Sequence, residues 1–371
     1  MKKLKVFFNP GVHPQFDEII NFPPENVEYL ISRPTGDHND DKVRKKRERV
    51  ARFHATGIPR MFYYKQAKNC DLIHSTRAII PLNRKPWILD LESGAAFTGL
   101  SWDYLKNPLA QTIIKFFLSS KYCKKIIPQS ESAKRSLLEN VDCSKFKDKI
   151  ETVYLAWHTN KLERKKRRKT DPVRISFIGK GFYEKGGKDL HDAFKILNKK
   201  YPGKLKLKYK GDVPETEKLN LPNVYYLPRI EDQKEFYNEV FGDCDIYVQP
   251  TTVDSWGVSI LEAMSTGLPI VCTDDKFTLP ELVQNGYNGF LVKNPGHFYE
   301  YRDEGNKYIE ISKQPHPETV KDLVEKISIL VEDEKLRKKM GENSFKLVES
   351  GKFSIKERNK KLRRIYDESL N

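Results

Sequence analysis

Short apolar runs, each closed by a polar or glycine-bearing loop, recur along the chain. "LKVFF" (4–8) alternates apolar and polar positions and ends at the Pro10-Gly11 turn. "CDLIHST" (70–76), "PWILDLE" (86–92), "KKIIPQS" (124–130) and "KIETVYLA" (149–156) repeat the pattern, and "SAKRSLLEN" reads as a short helix. After a charged stretch, "NKLERKKRRKTDP" (160–172), the rhythm restarts with "VRISFIG", "KLKLKYKGD", "NVYYLP", "CDIYVQP", "LPIVCTD" and "GFLV". Short strands separated by helix-length segments predict parallel α/β architecture, here as two doubly wound, Rossmann-like units. The expected division is a first domain over 1–160, a basic linker over 161–172, a second domain over 173–350 and a last helix over 351–371. That helix carries Leu362, Ile365 and Tyr366 among its lysines and arginines.

Composition narrows this picture. A chain of 371 residues with 38% apolar and 11% aromatic content can pack two medium-sized cores. The formal charge of +16 favours an anionic partner such as phosphates, nucleic acid or an acidic membrane surface, although a solvated lysine surface accounts for most of the excess. The basic segment "KVRKKRERVA" (42–51) reads first as a solvated helix face and second as a lipid or polymer contact. Five cysteines, Cys70, Cys123, Cys143, Cys244 and Cys272, lie scattered without metal or disulfide spacing, which suits a reducing cytoplasm. "MKKLKVFFNPG" meets a Pro-Gly turn too early for a signal peptide, and "LAQTIIKFFLSSKYC" is interrupted by Lys115 and too short to span a bilayer. Any membrane contact is expected to be peripheral.

The segment "VRISFIGKGFYEKGGKDLHDAFKIL" is strand, glycine-rich turn and helix, with Leu190, Ala193, Phe194 and Leu197 at helical spacing. A helix start behind glycines suits an anion. The dinucleotide fingerprint fails at Glu184, and the P-loop pattern fails at Phe182 and Asp189. Lys180 and Lys185 remain on this loop beside Gly179, Gly181, Gly186 and Gly187, where two ammonium groups can meet one pyrophosphate or simply line an exposed turn.

"CDIYVQPTTVDSWGVSILEAMSTGLPIVCTD" reads strand, loop, helix, strand. Val258, Leu261 and Met264 should face the core, while Gly267 and Pro269 stop the helix. Asp254 precedes or caps this helix, and Glu262 lies about two turns along it. Eight helical steps span at most about 12 Å, the order of distance between the hydroxyls of a ribose and a sugar joined by two phosphates. One acid for each end of a nucleotide-sugar is the expectation.

The stretch "DSWGVSILEAMSTGLPIVCTDDKFTLPELVQNGYNGFLV" (254–292) resembles the Glu-x7-Glu region of the retaining, GT-B-fold glycosyltransferases of family 4, also called group 1. The likeness takes in "FIGKGFYEKGG", Pro280-Glu281, Asn288-Gly289 and the closing "FSIKERNKKLRRIYDESL". It implies a GT-B architecture of two Rossmann-like domains facing across a cleft, with the last helix crossing back to the first domain. It also implies a nucleotide-sugar donor, a hydroxyl acceptor (glycan, lipid-linked or small molecule, at an anionic membrane surface if lipid-linked), no specific nucleic acid, no metal and no cofactor. By the same resemblance Glu262 holds the donor ribose, Asp254 the transferred sugar, and Gly257 and Val258 offer amides at the helix start. Lys180 and Lys185, beside Gly179, neutralise the leaving diphosphate. Two positions depart from the family pattern: Asp254 stands where glutamate is usual, and Lys180 where arginine is usual.

In the first domain the likeness is fainter. Gly11 stands alone where a Gly-Gly loop is usual, and Glu92 falls near the position of a family histidine, able to hold a sugar hydroxyl or to be a loop acid. Asp90 with Glu92, and Asp274 with Asp275, read as loop acids ahead of metal sites. His74 reads as a strand-end histidine ahead of a catalytic one, and no role is evident for His158. The segment 294–317 is longer than the usual connector. An epimerase or phosphorylase of the same fold, and more distantly a basic nucleic-acid-binding protein, are the rival readings.

Overall fold

In the computed structural model, residues 3–370 are described except 12–13, 32–56, 161, 163–167, 169, 253, 255, 295 and 297–311. The expected basic helix over 42–51, most of the linker and most of the long connector lie outside the described residues. Two compact units result: one joins Met1–Ala156 to Ile355–Asn371, and the other is built from chain between Trp157 and Ser354.

The first unit is a parallel sheet of β1 (Leu4–Asn9), β2 (Val27–Ile31), β3 (Leu72–Ser75), β4 (Trp87–Leu91) and β5 (Cys123–Pro128) in the order β2-β1-β3-β4-β5. Helices α1 (Gln15–Asn21), α2 (Pro108–Ser119) and α3 (Glu131–Asn140) belong to it, the last capped by the Ser130 hydroxyl, which accepts from the Ala133 amide. β3 and β4 are buried along their whole length, hence their nearly unbroken apolar runs. "KIETVYLA" differs from the sequence expectation. The Glu151 and Val153 amides donate to Ile126 and Pro128 of β5, but only one isolated bridge forms. Pro128 has no N–H to return a ladder bond, so the strand stops there.

The second unit holds β6 (Val173–Gly179), β7 (Leu205–Gly211), β8 (Val224–Leu227), β9 (Ile246–Gln249), β10 (Ile270–Asp274) and β11 (Gly289–Lys293), all parallel, in the order β8-β7-β6-β9-β10-β11. α4 (Gly187–Lys200) follows β6 and buries Leu190, Ala193, Phe194 and Leu197, the face its periodicity predicts. α5 (Val258–Ser265) follows β9, and α6 (Pro317–Glu332) and α7 (Glu334–Glu349) close the unit. Of the residues expected to face the core on α5, Leu261 and Met264 are buried with Ile260 and Ala263, whereas Val258 is half-buried. The chain lays β7 and β8 on one side of β6 and then returns to place β9 on the other. The loops after β6 and β9 therefore flank the point where strand order reverses, the usual ligand crevice of an open parallel sheet.

The last helix, α8 (Ile355–Glu368), packs in the first unit. Leu362, Ile365 and Tyr366 share a core with Val6, Val27, Leu72, Ile88, Ile127 and Val153. Its buried Arg358 donates to the carbonyls of Glu18 and Phe22, at 3.0 and 2.6 Å.

Candidate functional site at the switch point of the second sheet

Two loops build the site. In the loop after β6, Gly186 has φ +73°, and a Cβ there would lie 1.9 Å from the Pro250 carbonyl oxygen, so no side chain is accommodated. The same loop is tied to the one after β9, because the Thr252 amide and hydroxyl both donate to the Glu184 carbonyl, at 3.0 and 2.8 Å. These contacts bring Lys185 and Asp254, 69 positions apart, within 3.0 Å through Nζ and Oδ2. Their side chains are 21% and 14% exposed, shielded from bulk water yet reachable.

Asp254 also caps α5. Its Oδ1 accepts the Gly257 amide at 2.9 Å and the Trp256 amide at 3.2 Å, while Gly257 takes a left-handed φ of +68°. Burial raises the Asp254 carboxyl, but the Lys185 ammonium and the two amides outweigh it and hold the group below its ordinary range. For Lys185, burial lowers the pKa and is outweighed by Asp254, with help from Glu184 and Asp275, so the ammonium is held above its ordinary value. Both groups are ionised at neutral pH.

The expected site residues are therefore arranged differently from the one-acid-per-sugar picture. The Gly257 amide is occupied by Asp254, and Lys185 already has an anionic partner. Lys180 is exposed on the same loop, and Gly179 is buried against Phe177 and the Lys185 side chain. Glu262 is half-buried on α5, near enough to the Tyr247 hydroxyl to act on it electrostatically together with Asp254.

Gln249 escaped the sequence reading, and the burial of Asp275 was not foreseen. Buried Gln249, at the end of β9, accepts from the Tyr247 hydroxyl at 2.6 Å and the Ser259 hydroxyl at 2.5 Å, and its amide reaches Asp254 at 3.5 Å. The signal was a lone amide closing an apolar strand. Asp275, read as a loop acid, does lie in the loop after β10 and is fully buried there. Its Oδ1 accepts the Phe277 and Leu279 amides, while Oδ2 is buried with no hydrogen-bond partner among the described residues. Burial, with Asp254 and Asp274 adding to it, pushes its carboxyl up to about 8 against the two amides.

Of the first-unit candidates, Gly11 packs so closely that a Cβ would meet Phe16 at 2.5 Å and the Arg77 side chain at 3.1 Å. Glu92 is half-buried just past β4. Asp90 is structural: its Oδ1 accepts the Arg77 amide at 2.7 Å. His74 is buried, with Nδ1 2.8 Å from the Tyr366 hydroxyl, which in turn lies 2.9 Å from that of Tyr29. His158 stacks on Trp157 and bonds Asn160 at 3.1 Å.

Residues 159–316 match the family model of the group 1 glycosyl transferases. Among curated proteins, the capsular polysaccharide biosynthesis glycosyltransferase CapM of Staphylococcus aureus is 30% identical over 204 residues, 53% of this chain and 46% of that protein. The N,N'-diacetylbacillosaminyl-diphospho-undecaprenol alpha-1,3-N-acetylgalactosaminyltransferase of Campylobacter jejuni is 28% identical over 173 residues, 46% of this chain and 38% of that protein. The matched region thus spans about half the length of these relatives or less. Among solved structures, Anabaena HepE in complex with UDP and glucose is similar with TM-score 0.60 at 14% identity, covering 98% of this chain and 99% of that one. Sucrose-phosphate synthase from Thermosynechococcus elongatus gives 0.62 at 13% identity, covering 98% of both. The fold is that of the GT-B glycosyltransferases, and residues 159–316 are similar to the group 1 family.

Proposed function

We propose that this protein is a retaining glycosyltransferase of family 4 type that moves a sugar from a nucleotide-sugar to a hydroxyl acceptor without a metal or other cofactor. The observation that carries the reading is the shielded Lys185–Asp254 pair at the strand-order reversal of the second sheet, beside the glycine loop and one helical face from Glu262.

The chemistry follows from charge. Breaking the bond between the anomeric carbon and the phosphate oxygen leaves a diphosphate that gains negative charge as the sugar gains oxocarbenium character. The Lys185 ammonium, with Lys180 on the same loop, stabilises that charge most strongly in the transition state. An arriving diphosphate competes with Asp254 for Lys185, which frees the Asp254 carboxylate to accept from sugar hydroxyls. Glu262 accepts from the ribose. The acceptor oxygen forms the new bond on the face being vacated, and its proton passes to the departing phosphate oxygen, so configuration is kept. Glu92 is assigned to orient the acceptor hydroxyl, the Val258 amide at the start of α5 to the donor, and Gly11 to the donor from the first unit.

The relatives' named roles in capsular polysaccharide and diphospho-undecaprenol glycan synthesis support a glycan or lipid-linked acceptor; a cytoplasmic location with peripheral membrane contact is part of the same proposal. Among the described residues no helix is long and apolar enough to cross a membrane.

The test is a chelator-treated binding and hydrolysis screen over UDP-, GDP- and ADP-sugars with native protein, Lys185→Ala and Glu262→Ala. One donor should bind selectively. Lys185→Ala should lower kcat/KM by about 100-fold, the scale of one lost transition-state charge partner, whereas Glu262→Ala should act mainly on donor affinity. No nucleotide-sugar binding, or variants equal to native, would sink the reading; inversion at the anomeric carbon would sink the retaining part alone.

A further inference from the structure

The first sheet has its own strand-order reversal, between β1 and β3. The loops leaving those strands carry Gly11 and Arg77, which touch: the Arg77 Cδ stands 3.1 Å from the position of a Gly11 Cβ. A second arginine joins them. Arg60 precedes the two-residue strand Met61–Phe62, which pairs with Ile80–Pro81, and the Ile80 amide donates to the Arg60 carbonyl at 2.8 Å. The Arg60 Nη1 in turn reaches the Arg77 carbonyl at 3.4 Å.

These two arginines are held together against their mutual repulsion. Both are half-buried, and each has a buried Nε with no hydrogen-bond partner among the described residues. Burial lowers the Arg60 pKa and the Arg77 charge lowers it further, with Glu92 and Tyr64 opposing. Arg77 and Ala78 also take consecutive left-handed conformations, φ +57° and +53°, each costing an L-residue on the order of 1 kcal/mol. Asp90 fixes this turn, with its carboxylate accepting the Arg77 amide and its carbonyl accepting the Ala78 amide at 2.9 Å. Two like charges, two unpaired donors and a strained turn lie beside one another, and an oxyanion held by the guanidinium groups would offset the repulsion between the charges.

We propose that Arg60 and Arg77 form a subsite for a phosphate group carried by the acceptor. The assignment to the acceptor rests on the glycosyltransferase reading, in which Lys180 and Lys185 of the other unit already serve the donor diphosphate. Two guanidinium forks match the geometry of a phosphate.

Methyl phosphate is the probe, titrated into the full chain and followed by 31P line width, with and without a saturating nucleoside diphosphate. The variants are Arg60→Gln, Arg77→Gln, Arg77→Lys and Lys185→Ala. The Asp90 contact uses the Arg77 backbone, so the turn should survive substitution, which thermal unfolding checks. Arg60→Gln and Arg77→Gln should each weaken binding about tenfold or more, the scale of one charge-assisted hydrogen bond. Arg77→Lys should fall between native and Gln, while Lys185→Ala and added nucleotide should remove only the binding that belongs to the donor loop and leave the Arg60- and Arg77-dependent binding in place. Arg77→Gln equal to native overturns the subsite. Complete displacement by the nucleoside diphosphate, or complete loss in Lys185→Ala, overturns it as well by giving the phosphate to the donor. Phosphate binding that persists while no nucleoside diphosphate binds supports the subsite and removes the glycosyltransferase reading instead.

Discussion

Asp275 illustrates how a single buried carboxyl sets a pH dependence. Its ordinary value is 3.8 and burial pushes it to about 8 in the folded chain. Between those values the folded state holds a proton that the unfolded state has released, so this residue's contribution is fully present below about pH 4 and is lost as pH rises through about 8. The loss approaches ~1.4 kcal/mol per pH unit inside that window. Asp275→Asn keeps an oxygen for the Phe277 and Leu279 amides and cannot ionise. Its stability relative to native should rise steadily from pH 5 to 8 in urea unfolding, and a pH-independent difference would refute the assignment. Gly257 gives a second test at this scale. A Cβ there would stand 2.8 Å from a Leu279 methyl on a backbone with φ +68°, so Gly257→Ala should destabilise by about 1–3 kcal/mol and disturb the Asp254 cap. Chemical denaturation and donor affinity should fall together. The identities of these residues were legible in the sequence, but their partners were not. Lys185 and Asp254 each read as facing ligand, because nothing in a linear pattern says that two loops 69 positions apart are tied by Glu184 and Thr252.

At the scale of elements, the six strands of the second unit fall where apolar runs predict them, since a central parallel strand is buried on both faces and its sequence shows it. The first unit was less transparent. β2, "VEYLI", passed unread because it is an edge strand with only its first residue fully buried. "KIETVYLA" carried the right residues for a strand, yet Pro128 on its neighbour withholds the donor that would continue the ladder. Lys180 and Lys185 mark the glycine loop as a candidate anion site in the sequence, whereas the arginine pair of the first unit carries no such mark. Arg60 and Arg77 belong to no local motif, and only the pairing of Met61–Phe62 with Ile80–Pro81 joins them. α8 shows the same contrast: Leu362, Ile365 and Tyr366 announce an apolar face, while the Tyr366–His74 bond spans 292 positions. Tyr366→Phe removes that hydroxyl and leaves the ring, so His74 Nδ1 and the Tyr29 hydroxyl each lose a partner. A cost of about 1–2 kcal/mol to the first unit's unfolding is expected, with donor binding unchanged.

The whole chain is two cooperative cores whose composition is not collinear with sequence, because the last helix belongs with the first sheet. Deleting 355–371 would strip the first unit of Leu362, Ile365 and Tyr366, each worth roughly 1.5–3 kcal/mol of apolar burial. It would also remove Arg358, whose guanidinium satisfies the carbonyls of Glu18 and Phe22. A medium-sized domain has a total stability of only about 5–15 kcal/mol, so this loss should unfold the first unit outright. The second unit keeps its sheet, its glycine loop and the Lys185–Asp254 pair, none of which uses a residue beyond Ser354. Calorimetry of the chain ending at Ser354 should therefore show the first unit's transition missing and one transition remaining. The nucleoside diphosphate selected by the donor screen should raise that remaining transition, and transfer to an acceptor should be abolished while nucleotide binding persists. If instead nucleotide binding disappears with the helix, the donor site draws on the first unit, and the assignment of Lys185, Asp254 and Glu262 as a self-sufficient donor site fails.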